Sequence, residues 1–541
     1  MMEAQVHAQL RAYLRSKGLS TQPGECWPHH LTLGRLVARA LRLGRSALIQ
    51  VGTSGYCPEV EAQGYRLSYL MAVLLWPGSA VVVAQEQTLD QLCYQVIPDL
   101  QQWLQTHKSV CRAVDLGLTP QEFHGILLLT PDRWLQSRLE DSAHDRAAVT
   151  RSAPTLIEAV DDLEDWILAE QTLTVLPSHW AQLKLYYPQQ SQTIQDTQIY
   201  LTHCFFQHPP NPYNAYLLST LELERLQTLL RDLEYQGWQT PLPQPWVTLL
   251  SVPTLEQERG NVAYWTHLDR QSGTFTLHRT DLNWAPLLQR LWHSPPVILL
   301  RETIDAKLPT EAGTTLEFSE RLGLEAMTQV QFSPHPPGEC LHLYLPERLP
   351  LPNTPHYQDA ALMEIRRVLV FGASRPGLTV ILIQDTPLKH QVSSALVNEF
   401  GSRVQVDRLP PWAQPNSESD RFQGILVSSW NFWLAHRHQI VPPALMIMTT
   451  LPFPSVEHPL VAARVNYYKQ HRQDWFQNFL LPQALRDFQR SIAPVRAYPQ
   501  QGVLTILDTR LIYRSYGQQF LGVLSPFTRL SNLDPFAHLA V

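Results

Sequence analysis

Three stretches late in the chain decide the fold: L-P-F-P-S-V-E-H-P-L-V-A-A-R-V (451–465), L-P-Q-A-L-R-D-F-Q-R-S-I-A-P-V-R (481–496) and G-V-L-T-I-L-D-T-R-L-I-Y-R-S-Y-G-Q-Q-F-L (502–521). The last opens on an apolar run, G-V-L-T-I-L, that reads as a buried strand. Working outward, similar runs recur as A-L-M-I-M (444–448), G-I-L-V-S-S (424–429) and L-T-V-I-L-I (378–383). A polar, Pro-rich loop spans 410–420, and L-H-L-Y-L-P-E-R-L-P from 341 opens this half. Strands alternating with helices predict a parallel sheet covered by helices on both faces.

The first half repeats the pattern. Residues 31–46 form an amphipathic helix, with Arg35, Arg39 and Arg42 on one stripe and Leu33, Val37 and Leu41 on another. Strand A-L-I-Q-V (47–51), a helix from Arg66, strand A-V-V-V-A (80–84), a helix to 104, and strands at 125–130 and 155–159 follow. The alternation lapses over 166–245, which reads as Leu-, Gln- and Tyr-rich helices closed by P-L-P-Q-P (241–245). Residues 262–299 are expected to return to the sheet, ending in P-V-I-L-L (296–300).

With 541 residues the chain holds several domains. Its formal charge is −6, so no global basic field attracts nucleic acid. Local fields exist: residues 1–50 carry seven Arg or Lys against two acids, and 460–517 carry eight against three. Lysine is scarce, at six positions. The six cysteines show no C-x-x-C spacing, which predicts reduced thiols and no zinc site. Residues 67–84 are uncharged, but Pro77-Gly78 divides them into pieces too short to cross a bilayer. No secretory leader is legible at the N-terminus, so a cytoplasmic protein is expected.

In order, spacing and flanking residues the three opening stretches resemble the second motor domain of the DinG/XPD branch of superfamily 2 DNA helicases. Weaker echoes are Y-W-T-H-L-D (264–269), L-N-W-A-P-L-L-Q-R-L-W (282–292), F-S-E-R-L-G-L (318–324) and L-Y-L-P-E-R-L-P (343–350). The resemblance implies an α/β fold of two RecA-like parallel-sheet motor domains with a helical, arch-like insertion in the first. The expected boundaries are 1–165 with 246–340 for the first domain, 166–245 for the insertion and 341–541 for the second.

The resemblance also implies an ATP site, and here the sequence departs from the family. The phosphate loop, G-T-G-T-G-K-[ST] in the family, aligns with Gly52-Thr53-Ser54-Gly55 and, after an insertion, Gly64-Tyr65-Arg66. Tyr65 stands at the lysine and Arg66 at the hydroxyl that holds Mg²⁺. The D-E-A-H motif aligns with Glu158-Ala159-Val160-Asp161, and the carboxylate that orients water has become Ala159. Motif III resembles Arg301-Glu302-Thr303, and F-W-E-G-x-D resembles 432–437. The final motif, Q-G-x-G-R-x-x-R, becomes Gln489 through Arg496 with Ala493 at one arginine. A catalytic arginine is worth roughly 10³–10⁵ in rate. The vestigial set is therefore Glu158, Gln489 and Arg496 for catalysis, and Gly52, Thr53, Gly55, Gly64 and Arg66 for phosphate. ATP with Mg²⁺ becomes a doubtful ligand. Only Cys57, Cys93 and Cys111 lie where many relatives carry a four-cysteine cluster, so no iron–sulfur cluster is expected.

Three readings remain. One is a helicase homologue that binds single-stranded or forked DNA, in the cytoplasm or at the nucleoid, with hydrolysis and unwinding impaired or lost. Its expected contacts are Arg35, Arg39, Arg42, Arg472 and Arg486, with Tyr467, Tyr468, Trp475 and Phe476 available for stacking. The second is an active helicase with an altered ATP site. The third is a scaffold that engages a protein through 166–245.

Overall fold

The computed structural model describes residues 2–18, 28–52, 64–112, 123–139, 148–236, 242–250, 260–292, 295–304, 318–324, 327–332, 341–373, 377–409, 424–498 and 502–531. Its contacts divide the chain into two units, each assembled from separated segments. The first holds 1–161, 291–452 and 483–541, and the second holds 162–290 with 453–482.

The first unit contains two seven-stranded parallel sheets. The leading sheet uses β1 (Ala47–Gln50), β2 (Ala80–Val83), β3 (Val110–Cys111), β4 (Ile126–Leu129), β5 (Thr155–Ile157), β10 (Val297–Arg301) and β11 (Thr328–Gln331). Its spatial order is β11-β1-β10-β5-β2-β4-β3. β1, β2, β4, β5 and β10 are buried at every position, as strands covered on both faces must be. Helices α1 (Met2–Ser16), α2 (His30–Leu43) and α3 (Arg66–Leu75) pack against it through Val6, Leu10, Val37, Leu41, Leu67 and Leu70. α2 stops at Gly44, whose left-handed backbone lets its N–H reach Ala40 and Leu41 carbonyls.

The second sheet uses β12 (Leu341–Tyr344), β13 (Thr379–Leu382), β14 (Val404–Val406), β15 (Ile425–Ser428), β16 (Leu445–Met448), β17 (Val503–Ile506) and β18 (Phe527–Leu530). Its order is β14-β15-β13-β16-β17-β12-β18, all parallel. The break between the sheets falls after β11 and before β12. The apolar runs quoted first are its central strands. Gly502 enters β17 so close to the Val495 carbonyl that an added Cβ would sit 2.0 Å from that oxygen.

The second unit differs from the pattern read in the sequence. Residues 262–281 do not rejoin the first parallel sheet. They form a hairpin of β8 (Val262–Asp269) and β9 (Thr274–Asp281), flanked by β6 (Leu173–Val175) and β7 (Ala215–Leu217) in an antiparallel sheet ordered β6-β9-β8-β7. The physical reason is visible in β9, whose buried and half-buried positions alternate as in a one-sided strand. Its turn contains Gly273 at φ +68°, the left-handed conformation such a turn needs. Helices α4 (Leu163–Gln171), α5 (Pro177–Tyr186), α6 (Ser191–Phe206) and α7 (Thr220–Gln236) belong to this unit. Its core sets Trp180 edge-on to Trp246, with Phe205 against Phe275. Residues 453–482, assigned above to 341–541, also pack here, through α9 (Pro459–Gln470) and the turn that follows it. Among the described residues no helix is long and apolar enough to cross a membrane.

Candidate functional site

The C-terminal end of β5 sets the site. Glu158 follows the strand, with its N–H on the Val83 carbonyl (2.9 Å). Ala159 then takes φ +53°, the left-handed region that strains a side-chain-bearing residue, and the chain turns through Val160–Asp162. Glu158 is 2 % exposed and accepts three hydrogen bonds. Its Oε1 takes the Tyr65 hydroxyl (2.9 Å) and Arg66 Nε (2.6 Å), and its Oε2 takes the Tyr69 hydroxyl (2.8 Å). All three donors come from the start of α3 or the residue before it.

The electrostatics follow. Burial, then the Glu158 carboxylate, pushes both Tyr65 and Tyr69 well above the usual phenol value. Burial works against the Arg66 charge, but Glu158 and the two tyrosines outweigh it and hold the guanidinium protonated. Two buried hydroxyls and a half-buried guanidinium consume most of the acceptor capacity of one carboxylate. A hard divalent cation needs near-octahedral oxygen ligands at about 2.0–2.1 Å. The described residues do not fit that group. Tyr65 offers no cation to phosphate, Arg66 no hydroxyl to a metal, and Glu158 is occupied. Among the described residues no three His, Cys, Asp or Glu gather as metal ligands. Gly52 has φ +73° and Gly64 φ +33°, while Thr53 and Gly55 lie outside the described residues.

A second carboxylate, Asp161, holds the end of β10. It accepts from the backbone N–H of Glu302 (2.7 Å) and Thr303 (3.3 Å), from Arg301 Nε (3.2 Å) and from the Thr303 hydroxyl. This aims Glu302 at α10 (Leu481–Arg496) and at the 3₁₀ turn Arg437–Gln439 after α8 (Trp430–His436). Glu302 pairs with Arg437 at 2.8 Å and Arg490 at 3.5 Å. Gln489 closes two bonds with the Ile304 backbone, 3.0 Å from its N–H and 2.9 Å to its carbonyl. Arg486 donates to the Asp161 carbonyl (3.0 Å) and to Asp487 (3.0 Å). His438 keeps solvent access, yet Arg437 first, then burial, Arg66 and Arg490, hold it well below the usual imidazole value. Because the ring is open to water, charge repulsion is the cause that carries weight.

The residues expected at the ATP site thus separate. Glu158 pairs with Arg66, and Gln489 bonds the Ile304 backbone beyond the end of β10. Arg496 joins neither: its guanidinium donates to the carbonyls of Leu524 and Pro526. Arg490, at a family glycine position, is the arginine that meets Glu302, and sequence comparison had no reason to select it. Of the basic set, Arg35, Arg39 and Arg42 are exposed on one face of α2, with Arg42 on Glu3 (2.8 Å). Exposed Arg11 and Arg15 lie on the adjoining α1. Arg472, exposed at φ +54°, follows α9 in the second unit. There Tyr468, Trp475 and Phe476 pack around Phe479 and Val465. Arg464 is buried between Phe479 and Trp284, paired with Glu164 at 2.6 Å.

Comparison with known proteins agrees with this architecture. A helicase C-terminal domain family matches residues 443–527. The chain is 26 % identical over 231 residues to the ATP-dependent DNA helicase YoaA of Haemophilus influenzae, covering 41 % of this chain and 35 % of that protein. It is 32 % identical over 110 residues to YoaA of Escherichia coli, covering 20 % and 17 %. It is 31 % identical over 112 residues to the 3′-5′ exonuclease DinG of Bacillus subtilis, covering 20 % and 12 %. The matches span about a third or less of the length of these relatives. Among solved structures, S. tokodaii Xpd4 superposes with a TM-score of 0.56 at 11 % identity, over 93 % of this chain and all of that one. An XPD helicase gives 0.56 at 11 % identity, over 93 % and 99 %. In its helicase C-terminal segment and in its fold the chain is similar to DinG/XPD-type helicases of superfamily 2.

Proposed function

We propose that this protein is a nucleic-acid-binding helicase homologue that has given up ATP hydrolysis. The observation that carries the reading is Glu158 held by Tyr65, Arg66 and Tyr69. The carboxylate that a metal would need is spent on protein donors, and Ala159 offers no carboxylate to water. The partner class follows from the relatives, two of which are named as DNA helicases. The exposed arginines of α1 and α2 supply a phosphate-seeking face, so single-stranded or forked DNA at the nucleoid is the proposed partner. The test pairs an ATPase assay, with and without single-stranded DNA, with a binding titration in salt. Salt-sensitive binding without turnover supports the reading. Turnover that Arg66→Ala abolishes supports an active enzyme instead.

A second reading has its own observation. The second unit exposes Leu185 (81 %), Leu221 (71 %) and Tyr235 (88 %) on α5 and α7. Large apolar side chains on a surface mark protein contact when they gather into one patch. If DNA binding fails, a protein partner on 166–245 is the reading to pursue.

A further inference from the structure

The bonds at the end of β10 share one property: they run from the first sheet's layer to the second's. Glu302 reaches Arg437 and Arg490, Ile304 reaches Gln489, and the Asp161 carbonyl receives Arg486. The partners on the second layer all lie on α10 or on the turn after α8, and only the Ile304 N–H donates towards them. Glu302, Arg437 and Arg490 keep only 12 %, 3 % and 11 % of their side chains exposed. Breaking one side of such a buried pair leaves an uncompensated charge, far costlier than losing a surface pair. Asp161 fixes the Glu302 and Thr303 N–H groups, so the carboxylate arrives pre-positioned.

We propose that Glu302 is a built-in anionic lock. It supplies the negative charge that draws Arg437 and Arg490 onto the first sheet's layer, and so holds the two layers of the first unit together through contacts of the chain itself. Gln489 and Arg486 extend the lock with uncharged and backbone-directed bonds. The proposal goes beyond the reading of function and does not rest on it, because it concerns only ion pairs within the chain.

Hydrogen exchange followed by mass spectrometry on the full chain tests it. Glu302→Gln keeps the shape and removes the charge. Exchange should rise by about tenfold or more, a cautious reading of the cost of unpairing a buried charge, in segments 301–304, 437–440 and 486–490. Strands β2, β4, β13 and β16 should stay protected. A double-mutant cycle with Arg437→Gln adds a readout that mere loss of stability would not give. If the pair is the lock, the second substitution adds little to the first. Glu399→Gln, which breaks the exposed Arg366 pair, should change none of these segments. Unchanged exchange in Glu302→Gln, an equal rise across the strands, or fully additive effects in the cycle would each overturn the lock.

Discussion

At the residue scale the site is decided by which donors reach two carboxylates. Restoring one family side chain is not expected to restore ATP turnover. Tyr65→Lys is expected to leave ATP turnover at background, because Ala159 and Ala493 still lack their charged groups; measured turnover near 1 s⁻¹, the low end for phosphoryl transfer, is the contrary result. Tyr69→Phe removes one hydrogen bond to a buried carboxylate and should cost about 1.5–3 kcal/mol in urea unfolding. A pH effect follows from His30, which burial holds down to about 4 where it meets Ser68 Oγ at 2.9 Å. The folded value lies below the unfolded one, so stability is complete above about pH 6.5 and falls as protons bind between there and about 4. The loss at pH 5 should be about 2 kcal/mol, and His30→Gln should flatten that part of the stability–pH curve. A parallel curve in the variant would refute the assignment.

At the scale of elements, α2 carries the basic face. Reversing Arg35 and Arg39 to Glu should weaken DNA binding across sequences. The slope of log K against log salt should shrink by about 0.7 per lost single-strand contact. An unchanged slope would place binding elsewhere. Gly502→Ala tests the packing of α10 on β17; with the Val495 carbonyl in the way, a loss of about 1–3 kcal/mol in denaturant unfolding is expected. The elements themselves were legible where their signal is local. Runs such as Ala80–Val83 and Leu445–Met448 read as strands because burial on both faces leaves no room for polar residues. The hairpin at 262–281 was harder: the alternation T-F-T-L-H at 274–278 marks a one-sided strand, but its partners β6 and β7 lie far off in sequence. The site was least legible. Glu302 and Arg490 stand at positions where the family has no acid and no arginine, and their pairing exists only after two distant segments meet. Arg486 looked like a surface cation, yet it spends its donors on Asp487 and the Asp161 backbone.

At the scale of the whole molecule, the first unit carries two parallel-sheet layers, while Tyr65, Ala159 and Ala493 stand where the family resemblance implies charged groups. The apolar strands specify these layers independently of the site. Purified protein is accordingly expected to show no DNA-stimulated ATPase. The second unit has a different consequence, set by its two-part make-up. Glu164 and Trp284 belong to its first segment and Arg464 to its second, roughly 160 residues further along. On a ribosome adding about 5–20 residues per second, the earlier segment waits on the order of ten to thirty seconds for its partner. Through that interval the β8 face that Ala463 packs on, Ala263 and Trp265, waits for its cover.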